Sequence, residues 1–94
     1  MRKANALNLK QMTELASLEI GDATYSVCRY HTGRHYIVAH NAMVDVGSGH
    51  SRMMTVAKPI DDLAAQHAIE IADDELAPAD PVFEIHAAEA IAVH

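Results

Sequence analysis

Aromatic residues and cysteines are scarce in this 94-residue sequence, which contains no tryptophan, one phenylalanine, three tyrosines and one cysteine. Half of the residues are apolar, so the core must be built mainly from Ile, Val, Leu, Met and Ala. That composition is typical of a globular chain. Cys28 has no second cysteine to pair with, which excludes an intramolecular disulfide and suits a reducing compartment.

Long apolar runs are also missing. No stretch approaches the ~18 uninterrupted apolar residues that indicate a membrane-spanning helix. The positively charged start, residues 1–5, is not followed by the apolar block of a signal peptide. We therefore expect a cytoplasmic protein without a membrane segment. The length predicts a single domain over residues 1–94.

Basic residues are absent from the last third of the chain. Residues 59–94 contain nine carboxylates and no Lys or Arg. Residues 1–24 carry three basic and three acidic side chains, and residues 25–58 carry four basic side chains against Asp45 alone. The net charge of −6 therefore comes from the last third. The chain divides into a neutral start, a basic middle and an acidic end.

The first predicted element is a short helix that begins after Asn8, whose side chain suits an N-cap with Gln11 three residues later. The apolar residues that would share one face of this helix are Leu9, Met12, Leu15 and Ala16. Gly21 would end it. The alternative interpretation is a strand over 16–20 that turns at Gly21-Asp22.

Two β-hairpins are predicted next. β-branched and aromatic residues over 24–39 flank a turn at 31–34, and a second pair of strands over 42–57 flanks a turn at 47–49. With a two-residue loop in the first hairpin, the face that we assign to the core carries Ser26, Cys28, Tyr30, His35, Ile37 and Ala39. The opposite face then carries Tyr25, Val27, Arg29, His31, Arg34, Tyr36, Val38 and His40. A three-residue loop would invert the assignment.

A second helix is predicted to begin at Pro59 and to end near Asp73. Its regular apolar stripe consists of Ile60, Leu63, Ala64, His67, Ala68 and Ile71. Beyond a loop at 77–81, apolar residues at odd positions predict two short paired strands, 82–86 and 90–94, with a helix as the alternative. The predicted fold class is α+β: a small antiparallel β-meander with two short helices packed on one face and a C-terminal strand pair.

Seven histidines raise the question of a metal or catalytic site. By the two-residue loop, His31 and His35 point to opposite faces, and His31 and His40 lie roughly 20 Å apart at ~3.3 Å per residue. Neither pair closes a site with bonds of ~2 Å. His67 falls on the apolar stripe, and Cys28 shares a face with His35 but lacks a third group to orient the base. We expect no catalytic residue, no metal and no cofactor, and hence no enzyme.

The outward face of the first hairpin is the candidate nucleic-acid surface, with Arg29 and Arg34 for phosphates and Tyr25 and Tyr36 for stacking on bases. A small nucleic-acid-binding regulator is therefore one alternative function. Two arginines are few, however, and a chain with a net charge of −6 repels a polyanion. Nucleic acid is accordingly the less favoured partner.

The acidic last third predicts a docking surface for a basic protein. Its candidate contact residues are Asp62, Glu70, Asp73, Asp74 and Glu75. In size, acidity and lack of catalytic motifs the chain resembles small accessory or inhibitory proteins of phages and other mobile elements, a resemblance of composition alone. It implies a non-catalytic inhibitor that docks on a basic nucleic-acid-handling protein, in the manner of an anti-CRISPR. The alternatives are a solubilising surface, a homo-oligomer contact, or a small enzyme or metal-binding protein that uses its His and Cys residues.

Overall fold

In the part of the chain that the structure describes, five antiparallel strands follow one another across a single sheet in chain order, and one α-helix packs against it. The structure is a computed structural model that describes residues 7–74 and 80–94, without the side chain of Val46. Its elements are β1 (Met12–Ile20), β2 (Ala23–Tyr30), β3 (His35–Gly47), β4 (His50–Ile60), α1 (Asp62–Asp74) and β5 (Ile91–Ala92), with single 3-10 turns at Leu9–Gln11 and Pro81–Phe83. The predicted α+β class and the meander are confirmed.

The predicted first helix is wrong, because residues 12–20 form strand β1 and pair with β2. Asn8 does cap a helical turn, since its side-chain oxygen accepts from the backbone N–H of Lys10 at 3.0 Å. That turn is a single 3-10 turn, and it ends where pairing with β2 begins. The alternative strand that turns at Gly21-Asp22 is confirmed, and Gly21 has the positive φ (63°) that the turn requires.

The predicted C-terminal strand pair is also wrong. Residues 82–86 contain a 3-10 turn rather than a strand. Asp80 caps this turn by accepting from the N–H of Val82 at 2.9 Å, and Phe83 is buried against α1 and the sheet. A strand does form near the predicted second position, but β5 pairs with β4 and not with a neighbour at 82–86.

The loop of the first hairpin has three residues, His31-Thr32-Gly33. The N–H of Tyr30 donates to the carbonyl of Arg34 and the N–H of Gly33 donates to the carbonyl of Tyr30, both at 2.8 Å. Residues of like parity therefore face each other, odd with odd in the pair of Val27 with Ile37 and even with even in the pair of Cys28 with Tyr36. The predicted two faces are wrong for this reason.

Both sides of the central sheet are covered. On the α1 side, the buried cluster consists of Leu18, Val27, Ile37, Ala65, Ala68, Ile71, Ala72 and Phe83. On the far side, the buried cluster consists of Leu7, Cys28, Tyr36, Val38, Ala57 and Val93. Consecutive residues such as Tyr36, Ile37 and Val38 are therefore all buried. At the centre of the first hairpin, neither face is exposed for recognition of a partner.

Leu7 pairs with the C-terminal segment at the β5 edge of the sheet. Its N–H donates to the carbonyl of Ala92 at 3.0 Å, its carbonyl accepts from the N–H of His94 at 2.8 Å, and it forms a parallel bridge with Val93. The chain then reaches β1, at the opposite edge, within five residues, which extend over at most about 18 Å. In a flat sheet, Leu7 would lie one strand beyond β5 and therefore five strand spacings from β1, about 24 Å at ~4.8 Å per spacing. The sheet is therefore curled around the far-side cluster.

Within the residues that the structure describes, no helix is long and apolar enough to cross a membrane.

Candidate functional site

The position of α1 is set at its first turn. Asp61 accepts from the N–H of Ala64 through its side chain at 2.7 Å and from the N–H of Ala65 through its carbonyl at 2.9 Å. Pro59 and Ile60, which were predicted to open the helix, belong to β4 instead. The side chain of this acidic N-cap satisfies one of the free backbone donors of the first turn, and its carbonyl accepts the first regular hydrogen bond of the helix. It thereby fixes where the helix begins.

The buried side of α1 consists of Ala65, Ala68, Ile71 and Ala72. The predicted stripe is therefore wrong by about one residue. Leu63 is 78% exposed, and the side chain of His67 is 54% exposed. The small alanine side chains allow the helix to approach the sheet closely. The helix therefore buries the side that carries the alanines rather than the side that carries Leu63 and His67.

The opposite side of α1 faces solvent, and we call it the acidic outer face. It consists of Asp62, Leu63, Gln66, His67, Glu70, Asp73 and Asp74, all of them exposed. At about 100° per residue, these positions fall within an arc of about 140° and extend about 18 Å along the helix. Four of the five predicted partner-binding residues thus lie together on one surface. The fifth, Glu75, lies outside the described residues.

The carboxylates of this face have no basic side chain of the Lys or Arg type to neutralise them. Across residues 7–74 and 80–94, every ion pair within 4.0 Å is formed by a histidine. Asp73 and Asp74 also lie in the last turn of α1, where the helix dipole disfavours negative charge by about 0.3–1 kcal/mol each. The folded chain therefore gains nothing from these two carboxylates at their positions.

Two histidines contact carboxylates at the borders of the acidic outer face. The Nδ1 atom of His35 lies 3.1 Å from Asp62, whose side chain is 90% exposed. The Nε2 atom of His67 lies 3.0 Å from Asp80. Both pairs connect α1 to a neighbouring segment, the start of β3 in one case and the 3-10 turn in the other. Neither has a Ser, Thr or Cys among its hydrogen-bond partners, so neither resembles a nucleophile–base pair.

The Asp80 carboxylate predicts a loss of stability in acid. It accepts from the N–H of Val82 and from His67, and these contacts lower its pKa below the ordinary value of 3.8. A carboxylate with a lowered pKa stabilises the fold above its unfolded-state pKa, and this contribution is lost as the pH falls through the folded-state value. We expect Asp80→Asn to weaken the dependence of urea unfolding on pH below about 4. An unchanged acid limb in that variant would contradict the assignment.

The predicted nucleic-acid surface is not assembled. Tyr36 lies on the far side of the sheet and is only 7% exposed. Tyr25 lies on the α1 side, half-buried, with its ring edge-on to Phe83 at a centroid distance of 6.2 Å. Arg29 and Arg34 are exposed, but Tyr36 is buried and offers them no neighbouring ring for stacking on bases. The three-residue loop of the first hairpin separates these residues, because it inverts the expected pairing.

Cys28 and His35 are also separated, since Cys28 belongs to the far-side cluster and its strand partner Tyr36 lies beside it. Burial raises the pKa of the Cys28 thiol to about 11, with the Glu14 carboxylate as the second cause. A protonated thiol is neither a nucleophile nor a metal ligand at neutral pH. In the described part of the chain, no group of three or more His, Cys, Asp or Glu side chains is arranged to hold a metal ion.

The sequence pattern placed His67 and Leu63 in the core and so missed both as residues of this surface; Leu63 is the apolar one. It stands among carboxylates near the N-terminal end of the acidic outer face.

Comparison with protein-family models, with curated proteins and with solved structures gives no significant match.

Proposed function

We propose that the chain is a non-catalytic binding module that docks the acidic outer face of α1 on a basic surface of a partner protein. The observation that supports this proposal is the row of four exposed carboxylates, Asp62, Glu70, Asp73 and Asp74, with no Lys or Arg within 4.0 Å in the described ranges. Exposed charges of one sign steer a partner of opposite sign and define which partner is accepted.

The partner that fits best is a protein whose basic surface serves to bind nucleic acid. Such surfaces present rows of Lys and Arg that normally contact phosphates. A row of carboxylates about 18 Å long would meet several of these cations at once. Leu63, 78% exposed, adds an apolar contact within the charged surface, which is the arrangement of an anchor residue with a polar surround. Occupation of that surface would make the chain an inhibitor, as an anti-CRISPR is.

The test is a charge reversal of the last turn, Asp73→Lys with Asp74→Lys. We expect the free chain to be equally or more stable, because positive charge is favoured at a helix C-terminus. We expect its affinity for the partner to fall by at least about tenfold. The partner is first isolated by affinity capture with the unmodified chain and identified by mass spectrometry. The dissociation constants of the purified complexes are then compared by calorimetry.

The matched control is Glu19→Lys with Glu84→Lys, which changes the net charge by the same amount at exposed positions outside α1. This control should retain the affinity within about threefold. Equal loss in both variants would indicate a general effect of net charge and contradict the proposal. Undiminished binding by the helix variant would also contradict it.

A further inference from the structure

The β3–β4 hairpin extends beyond the rest of the sheet. Pairing of β2 with β3 ends at Thr24 and His40, whereas β3 continues to Gly47. Residues 42–47 pair with β4 alone among the described strands. Their other edge therefore presents backbone N–H and C=O groups that no described strand covers. Register shifts occur on both sides of the segment 42–45, so the regular part of this free edge is four residues long.

A cleft of about 520 Å³ lies beside the free edge, within the size range of ligand pockets. It opens on the α1 side of the sheet, since Ile20, Tyr25 and Ile85 line it and also pack against the cluster beneath α1. Its base is formed by small or branched apolar side chains, among them Ala39 and Val56. No residue of α1 lines it, so it is distinct from the acidic outer face.

The charge of the cleft has one sign. Asp22 lines it at the β1–β2 turn and Asp45 lines it at the far end of the free edge, and none of the lining residues is Lys or Arg. Most of the other lining side chains are apolar, with Asn41 and His86 as the polar exceptions. A carboxylate at each end of such a partly enclosed surface favours an occupant with an apolar centre and cationic ends. Among the described residues of a second copy, the segment from Arg52 to Lys58 has such a pattern, but it lies in β4 and is already paired with β3 of its own sheet.

We propose that this cleft binds an extended segment of another protein, which adds as a strand to residues 42–45 of β3. The segment has about four central residues with apolar side chains facing the cleft, and a Lys or Arg near each end. Backbone hydrogen bonds to the free edge supply the alignment, and alternate side chains enter the cleft because successive residues of a strand point to opposite sides. The proposal stands independently of the acidic outer face of α1.

The probe is a capped synthetic peptide, acetyl-Lys-Val-Ala-Val-Ala-Lys-amide, titrated into the isotope-labelled full chain and followed by amide NMR shifts. We expect saturable shifts at Ala42, Val44 and the cleft residues Ala39 and Ala90. The same peptide with Glu in place of both Lys residues should cause no shift at about 1 mM. Equal binding of the two peptides, or no shift with either, would overturn the proposal.

Two variants separate the cleft from the rest of the surface. Asp22→Asn with Asp45→Asn should weaken binding of the basic peptide by about tenfold. Asn retains an oxygen for the bond that Asp45 accepts from the N–H of Gly47 at 2.8 Å. Glu70→Gln with Asp73→Asn removes the same charge from α1 and should leave the affinity unchanged. The reverse result would place the peptide on α1 and overturn the proposal.

Strand addition has its own test. Two further peptides carry N-methyl groups on alternate central residues, so that each blocks the donors of one edge of the peptide. One of the two should lose binding and the other should retain it, because only one edge of an added strand faces β3. Equal retention by both would contradict strand addition. Shifts at the same amides on raising the protein concentration without peptide would identify a second copy as the occupant and overturn the proposal.

Discussion

Replacing Ala68 by Asp is expected to reduce the free energy of unfolding by at least about 3 kcal/mol, whereas Leu63→Asp should change it by less than about 0.5 kcal/mol. Ala68 is fully buried between α1 and the sheet, where a carboxylate loses its hydration and finds no cation. Leu63 is 78% exposed and stands in the first turn, where negative charge is favoured. A small domain has about 5–15 kcal/mol of total stability, so Ala68→Asp approaches complete unfolding.

Urea unfolding followed by circular dichroism measures both variants. The pair is informative because the regular spacing of the sequence places both residues on one buried stripe, while the structure separates them. A large loss of stability in Leu63→Asp, or a small one in Ala68→Asp, would mean that α1 is rotated about its axis. The acidic outer face would then be divided, and the proposed docking surface would lose its basis.

The buried row of α1 was mispredicted because the sequence pattern combined two elements. The pattern counts Ile60 as the first residue of the stripe, but it is the half-buried last residue of β4. Without Ile60, the small residues Ala65, Ala68 and Ala72 form an equally regular row. The choice between the two rows depends on how closely the helix approaches the sheet, which is a tertiary property. The predicted C-terminal end of the helix is correct within one residue, whereas its predicted start is three residues early because β4 continues to Ile60.

The pairing of the first hairpin depends on one loop residue. Gly33 adopts a φ of 94°, a backbone conformation that suits both a two-residue loop and a three-residue loop. The sequence around it favours neither, so the parity of the pairing could not be predicted. The consequence extends to function, since Tyr36 is brought to the far side, away from Tyr25. The second hairpin was less sensitive, because no site residue was assigned to it.

Strand β1 was mispredicted for a different reason. Its register shifts between Glu14 and Ala16, so Met12 packs with the far-side cluster and Ala16 with the α1-side cluster. This bulge breaks the alternation that identifies a strand. The cap at Asn8 then made a helix the better local interpretation. These errors do not affect the predicted exposure of the α1 carboxylates, because the exposure of charges on the outer side of a helix does not depend on strand register.

Replacing Leu7 by Ala should reduce the free energy of unfolding by about 2–4 kcal/mol, whereas Leu9→Ala should cost less than about 1 kcal/mol. Leu7 is 8% exposed within the far-side cluster, and Leu9 is 42% exposed. Both residues hydrogen-bond the C-terminal segment through backbone atoms, which either alanine variant retains. The difference therefore isolates the Leu7 side chain, and urea unfolding of the two variants measures it. Equal losses would mean that the far-side cluster does not depend on this residue.

The same substitution has a second readout at Cys28. Leu7 belongs to the cluster that buries the thiol, and that burial is the main reason for the thiol pKa of about 11. A cavity at Leu7 admits water to the far side of the sheet and lowers the cost of forming the thiolate. Iodoacetamide should therefore modify Cys28 faster in Leu7→Ala than in Leu9→Ala under native conditions. The link from Leu7 to β1 is too short for a flat sheet, so the Leu7 side chain lies inside the curl. A faster reaction confined to Leu7→Ala would show that this side chain keeps water from the far-side cluster. Equal rates would show that the cluster excludes water without it.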